Sequence, residues 1–357
     1  MMCSDRFDTV VIGASQAGLA MGYHLARQGR RFVIVDAGDR IGQSWARRWD
    51  SLRLFTPTRF THLPGLRFPG SPGHLPSKDE MADYLRSYAA RFELPVELRS
   101  RVDELERSDE GYLVHIAERT LRADTVVVAT GPAMRPRVPE FASQLDPAIR
   151  AFHSIDYRNP GQLKRGSVLI VGAGNSGAEI ALDIALTHDV VLAGRDTGRI
   201  PITLGGPSYR IMNQVLTANS RLGRRFANAN SGKGTPLVRV SAAELNRAGV
   251  ERTARVGGQL GGRPQLQDGR VLDVQNVIWC TGYRPDYSWI NLAAFAQDQP
   301  PPHRRGAVLD HPGLYFIGLP FLFRMDSSLV AGAGPDAKHI AKLIKRNLTS
   351  RASRIGA

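Results

Sequence analysis

A chain of 357 residues exceeds what one hydrophobic core usually supports, so two domains are expected. With 42% hydrophobic and 22% charged residues the composition is globular and excludes disorder, while two cysteines, Cys3 and Cys280, without a C-x-x-C exclude a disulfide framework and a redox dithiol. The net charge of +14 suits anionic partners, but the arginines are scattered without a Lys/Arg block or interleaved aromatics, so phosphate-bearing cofactors are expected and nucleic acid is not.

The opening stretch MMCSDRFDTV has no apolar leader core, and no apolar run approaches the roughly 18 residues of a membrane span, which predicts a cytoplasmic protein. From Phe7, FDTVVIGASQAGLAMGYHLARQGRRFVIVD reads as apolar strand, glycine turn, amphipathic helix and second apolar strand ending at Asp36, one β-α-β unit. Residues 41–76 are rich in Gly, Pro and aromatics and predict a long ordered loop layer. Ser77 is placed to cap a helix with Asp79 and Glu80 in its first turn and Met81, Leu85 and Tyr88 at helical spacing. Short strands are expected around Val102, Tyr112–Ile116 and Thr125–Ala129.

SIDYRNPGQLKRG then marks a domain junction, VLIVGAGNSG (Val168–Gly177) a second nucleotide turn, and NVIWCTGYRPD the junction back. Residues 203–235 carry one helix candidate, Tyr209–Phe226, in a stretch that the sequence does not assign.

The two turns invite comparison. In the first, Gly13 permits the tight turn and Gly18 lets helix and strand approach, while Ser15 replaces the middle glycine; the second has all three, Gly172, Gly174 and Gly177. Backbone N–H groups at each helix start suit a pyrophosphate. Asp36 stands 18 residues after Gly18 and Arg195 stands 18 after Gly177, which predicts equivalent sites at the ends of the two second strands. The acid suits the ribose hydroxyls of an adenosine without a 2′-phosphate; the guanidinium suits the 2′-phosphate. A solvated arginine in an arginine-rich chain is the plainer reading of Arg195 and stays open.

The order of first turn, IGQSW, SLRLFTP, VVVATGP, FHSIDYRNP, second turn, VIWCTGYRPD and GLYFIGLP resembles the class B flavin-dependent monooxygenases, which include flavin-containing monooxygenases, plant YUCCA enzymes and Baeyer–Villiger monooxygenases. It looks most like short bacterial flavoproteins described as monooxygenases or as associated with cation transport. The resemblance covers nearly the whole chain. It implies an α/β fold of two dinucleotide-binding, Rossmann-like domains, with an NADPH domain (161–279) inserted into an FAD domain (1–160 and 280–357). It places Gly13, Ser15, Gln16, Ala17, Gly18 and Asp36 on FAD, together with Gln43, Ser44 and Trp45, Val102, Thr130, Gly131 and Gly318. On NADPH it places Gly172, Gly174, Asn175, Ser176, Gly177 and Arg195, with Thr281, Gly282 and Tyr283 at a hinge; Arg199, four residues after Arg195, is expected to share the phosphate.

Phe55 and His153 are the candidate catalytic residues, although His153 also reads as a packing or capping histidine in a linker. Phe55 stands where flavin-containing monooxygenases tend to have an asparagine, and Ile149 breaks the Baeyer–Villiger F-x-G pattern. His62 and His74 lack ligand-like spacing, so no metal is expected. The implied function is an NADPH-reduced, FAD-dependent monooxygenase passing one oxygen from a flavin C4a-(hydro)peroxide to a small organic substrate, with that substrate and O₂ as partners. An NADPH oxidase or reductase, or a redox- or nucleotide-sensing flavoprotein that regulates a transporter, are the alternatives. A homodimer is left open.

Overall fold

The computed structural model describes residues 6–132, 135–200, 204, 206–230, 236–293 and 295–355, the side chains of 226–230 and 349–355 apart. Cys3 and the ends of the unassigned stretch, Thr203 and Thr235, lie outside the described residues.

Continuous apolar runs such as Val10–Ile12 and Val33–Val35 fit strands covered on both faces, and these residues are buried in a parallel sheet. Its parallel core runs in the order Leu314–Phe316, Arg119–Val128, Arg6–Ile12, Phe32–Val35, Val96–Glu97. The register aligns Phe316, Val128, Ile12, Val35 and Glu97 across one edge. Gly13, Asp36, Ala129 and Ile317 therefore emerge side by side from the carboxyl ends, where open α/β sheets bind ligands. The first half of the long strand Arg119–Val128 pairs instead with Gly111–Ile116, which pairs with Glu104–Ser108, an antiparallel extension. Val102 precedes that extension and lies outside any strand.

A second sheet has five strands, all parallel, in the order Glu251–Thr253, Val190–Ala193, Val168–Val171, Asn276–Trp279, Arg150–His153. Its centre repeats the first sheet: Val171 lies between Ala193 and Trp279 as Ile12 lies between Val35 and Val128. The strand Arg150–His153, ahead of position 160, belongs to this second sheet. Where the chain crosses between the sheets, Arg135–Pro136 and Tyr283–Arg284 pair antiparallel, and Arg135 forms an ion pair with Asp286 at 2.5 Å.

The helix Gln16–Ala26 packs against the C-terminal helix Val330–Ile355 and against Lys78–Arg91. Lys78–Arg91 starts as expected, with a capping box in which Ser77 Oγ accepts the Glu80 N–H and the Glu80 carboxylate accepts the Ser77 N–H, and it buries Met81, Leu85 and Tyr88 completely. The candidate helix Tyr209–Phe226 is two helices, Pro207–Val215 and Arg221–Asn230. Ser220 separates them: its hydroxyl donates to the Val215 carbonyl and accepts the Gly223 N–H, closing one helix and opening the next.

Candidate functional site

The chain leaves Ile12 through Gly13, whose φ of +109° favours glycine. A Cβ there would lie 2.7 Å from the Ala129 carbonyl oxygen, and one on Gly18 would overlap the Gly13 carbonyl. Packing therefore demands both glycines. The second turn repeats the arrangement, with Gly172 against the Cys280 carbonyl and Gly177 against the Gly172 carbonyl. Gly174 differs, since its φ of −79° suits any residue and nothing in the protein lies within 4 Å of a Cβ built there. Room for a ligand beside the backbone explains this glycine; packing does not.

Both turns feed helices, Gln16–Ala26 and Asn175–Ile184, that have no side-chain cap and no acidic residue in the first turn. Two other helices are capped by side chains, through Ser77 with Glu80 and Ser241 with Glu244, while Pro207–Val215 has no such cap. Leading N–H groups need acceptors, and the helix dipole favours an anion there, so a pyrophosphate fits each turn. At the first turn, Gln16 Oε1 accepts both the Ser15 hydroxyl at 2.6 Å and the Trp45 Nε1–H at 3.1 Å, while Ser44 Oγ lies 3.4 Å from Ser15 Oγ. Asp36 accepts the Ala14 N–H at 2.6 Å and the Gly38 N–H at 2.7 Å, which aims its carboxylate along the turn. Gln43 is buried and accepts the Asp39 N–H at 2.7 Å, a loop-shaping role.

The two turns open into one cleft of about 400 Å³. One wall holds Ser15, Gln16, Ala17, Thr130, Gly131 and Gly318; another holds Asn175, Ser176 and Glu179; the loop layer contributes Ser44, Trp45, Arg48, Trp49, Arg53 and Phe55. Two buried polar atoms in these walls have no hydrogen-bond partner, Trp49 Nε1 and Glu179 Oε1. Both residues line the cleft, with these two polar atoms buried in its walls. The Glu179 side chain is only 9% exposed, with Arg239 Nη1 3.7 Å from its other oxygen, and burial, opposed by Arg239, pushes its carboxyl up to about 7. Sequence reasoning missed Glu179, whose only signal was its position two residues after Gly177 on the helix of an otherwise uncapped turn.

The expected equivalence of Asp36 and Arg195 fails by one residue. Gly13 donates its N–H to Val35 and Gly172 donates to Ala193, so Gly194 is the counterpart of Asp36. The second helix is 10 residues long against 11 in the first, which removes one residue between turn and strand. A Cβ at Gly194 would lie 2.6 Å from the Ala173 nitrogen, so no acid fits there, and Arg195 follows as an exposed residue. Arg199 is exposed and bridges to Leu237.

His153 is not presented to the cleft. It is 4% exposed; its Nδ1 accepts the Ile155 N–H at 3.1 Å and its Nε2 lies 3.0 Å from the Gly282 carbonyl, so both ring nitrogens serve backbone and Nε2 carries the proton. Burial lowers its basicity further. The geometry makes it a positioning residue for the hinge, in place of the expected catalytic one. Its ring meets Tyr283 edge-on, and the Tyr283 hydroxyl accepts from Arg48, a cleft residue, at 3.0 Å. Thr281 donates to the Arg137 carbonyl across the two crossing segments. Asn175 also works inward, its amide donating to Pro236 O at 3.0 Å and accepting from Val238 N at 2.9 Å, which leaves its backbone for a phosphate.

Residues 10–231 match the family described as pyridine nucleotide-disulphide oxidoreductase. An uncharacterized oxidoreductase named CzcO-like from Geobacillus kaustophilus is 40% identical over 93% of this chain and 97% of its own length. A protein named as a probable indole-3-pyruvate monooxygenase, YUCCA7, of Arabidopsis thaliana is 28% identical over 79% of this chain and 75% of its own. The solved flavin-containing monooxygenase of Stenotrophomonas maltophilia superposes with a TM-score of 0.80 at 26% identity, covering 96% of this chain and 99% of that one. Two dinucleotide cofactors, FAD and NADPH, agree with the family and with the two turns. The chain belongs to the pyridine nucleotide-disulphide oxidoreductase family, and its relatives place it among the class B flavin-dependent monooxygenases.

Proposed function

We propose that this oxidoreductase is an NADPH-reduced, FAD-dependent monooxygenase that passes one oxygen atom of O₂ to a small organic substrate. The observation that carries this reading is the single cleft on which both uncapped turns open, with apolar Leu52, Leu54 and Phe55 on its wall. FAD, when bound, supplies hydride acceptance from NADPH and the reaction with O₂.

The chain's own residues bind, orient and exclude water. Gln16–Gly18 and Ser176–Gly177 present backbone N–H groups to the two pyrophosphates, and Asp36 holds a ribose. With no acid at Gly194 to repel it, the 2′-phosphate would be met by the exposed Arg195 and Arg199. The loop layer keeps water from the reacting end. The proposed division is FAD segments 1–160 and 280–357 around an NADPH segment 161–279, with Arg150–His153 lent to the second sheet.

A second reading, NADPH oxidation ending in peroxide, is favoured by Phe55, which lines the cleft without a hydrogen-bond donor where an amide would supply one. The test is NADPH oxidation under isotopically labelled O₂ with a panel of small organic substrates, analysed by mass spectrometry. Label in one product supports oxygenation, and stoichiometric peroxide with every substrate refutes it.

A further inference from the structure

We propose that the helices Pro207–Val215 and Arg221–Asn230 form a docking surface for an anionic lipid bilayer. The first helix is fixed by one face, with Tyr209 and Asn213 buried and the Asn213 Oδ1 accepting the Asp326 N–H at 3.2 Å. The hairpin is held again where Ala218 donates its N–H to the Phe323 carbonyl at 2.8 Å. What remains outward is therefore set by the fold: Arg210, Ile211, Gln214 and Val215 on the first helix, then Arg221, Leu222, Arg224 and Arg225 on the second. Eight large hydrophobic residues are strongly exposed among the described residues, and three of them, Ile211 at 65%, Val215 at 48% and Leu222 at 58%, fall within this hairpin. Single exposed aliphatics are ordinary; such a concentration is not.

The charge around them selects the occupant. Between Asp196 and Glu244 the sequence has no carboxylate side chain, and among the described residues Arg210, Arg221, Arg224 and Arg225 form no ion pair. Aliphatic side chains set among arginines without an acid are the composition of an element that lies in a membrane interface, the aliphatics entering the acyl boundary and the guanidinium groups meeting anionic headgroups. A second copy of this surface would bring arginines against arginines. Nucleic acid would gain nothing from the exposed aliphatics, because stacking platforms for bases are aromatic. The surface adjoins the loop layer, since Phe60 encloses with Pro207, Arg210, Ile211 and Gln214 a shallow depression of about 320 Å³. This docking face is independent of the reaction assigned to the cleft.

The test is cosedimentation of the full-length, FAD-loaded protein with phosphatidylcholine vesicles, with and without phosphatidylglycerol. Binding about tenfold tighter or more to the anionic vesicles, weakened by salt, is expected. Ile211→Asp with Leu222→Asp should abolish it while flavin content and melting temperature stay as in the parent. Leu222→Trp, a substitution at an exposed position, should show a blue-shifted emission on adding anionic vesicles that the parent lacks. Equal binding to both vesicle types, no binding, or no emission shift overturns the proposal. So does a parent dimer in sedimentation that the double aspartate variant dissociates, because a second copy would then be the occupant.

Discussion

Gly174 separates a ligand role from a packing role more sharply than any other residue of the two turns. Its backbone, at φ −79° and ψ −172°, is ordinary for alanine, and a Cβ built there has nothing within 4 Å. Gly174→Ala should therefore leave the fold intact and change the stability of the ligand-free protein by less than about 1 kcal/mol, since a less flexible unfolded chain is offset by a poorer N-cap. The same methyl enters the space left for the NADPH pyrophosphate and should weaken NADPH about tenfold, or about 1.4 kcal/mol. Gly174→Ser should lose less, because a hydroxyl can donate to a phosphate oxygen. By contrast, Gly177→Ala drives a Cβ into the Gly172 carbonyl and should destabilise the protein with or without nucleotide. Thermal melts with and without NADPH, together with a binding isotherm, read both effects. Full NADPH protection in Gly174→Ala would show that no pyrophosphate approaches Gly174, and a large loss of ligand-free stability in that variant would show that packing, not a ligand, requires the glycine.

Three further outcomes are expected. Arg195→Ala should cost about tenfold or more in kcat/KM for NADPH relative to NADH, and the double variant with Arg199→Ala more still; an unchanged ratio in the double variant removes both from phosphate recognition. Phe55→Asn should raise the share of NADPH consumed with substrate oxygenation at the expense of peroxide, and an unaltered share places Phe55 away from the reacting end. Glu179→Gln should flatten a pH dependence. With the Glu179 carboxyl raised from 4.5 to about 7, the native state keeps a proton that the unfolded state has released, so parent stability falls as pH rises through that window. The cost approaches about 3 kcal/mol above pH 7 and vanishes below about 4.5. Urea unfolding at pH 5 and pH 8 should show the variant gaining on the parent at the higher pH, and a constant difference contradicts it.

The sequence exposes what local chemistry dictates. Two apolar strands, two glycine turns and the Ser77 capping box are legible because steric demand at Gly13 and Gly172 and the helical spacing of Met81, Leu85 and Tyr88 operate over short stretches. Arg195 shows the limit: an equal count of 18 residues from the last glycine concealed a helix shorter by one, and only strand register reveals Gly194 opposite Asp36. His153 was ambiguous because its partners, Ile155 and Gly282, are backbone groups, one of them 129 residues away. Glu179 was silent for the same reason, since an orphaned atom is defined by what surrounds it in space.

If one cleft holds both nucleotides, the nicotinamide of one reaches the flavin of the other closely enough to reduce it. Anaerobic mixing of the FAD-loaded protein with NADPH, followed at the visible flavin absorption band in stopped flow, tests it most directly. Full bleaching within a single turnover is expected, with NADPH more effective than NADH by about tenfold or more, the discrimination worth one charge-assisted phosphate contact. A flavin that stays oxidised although NADPH binds would contradict it.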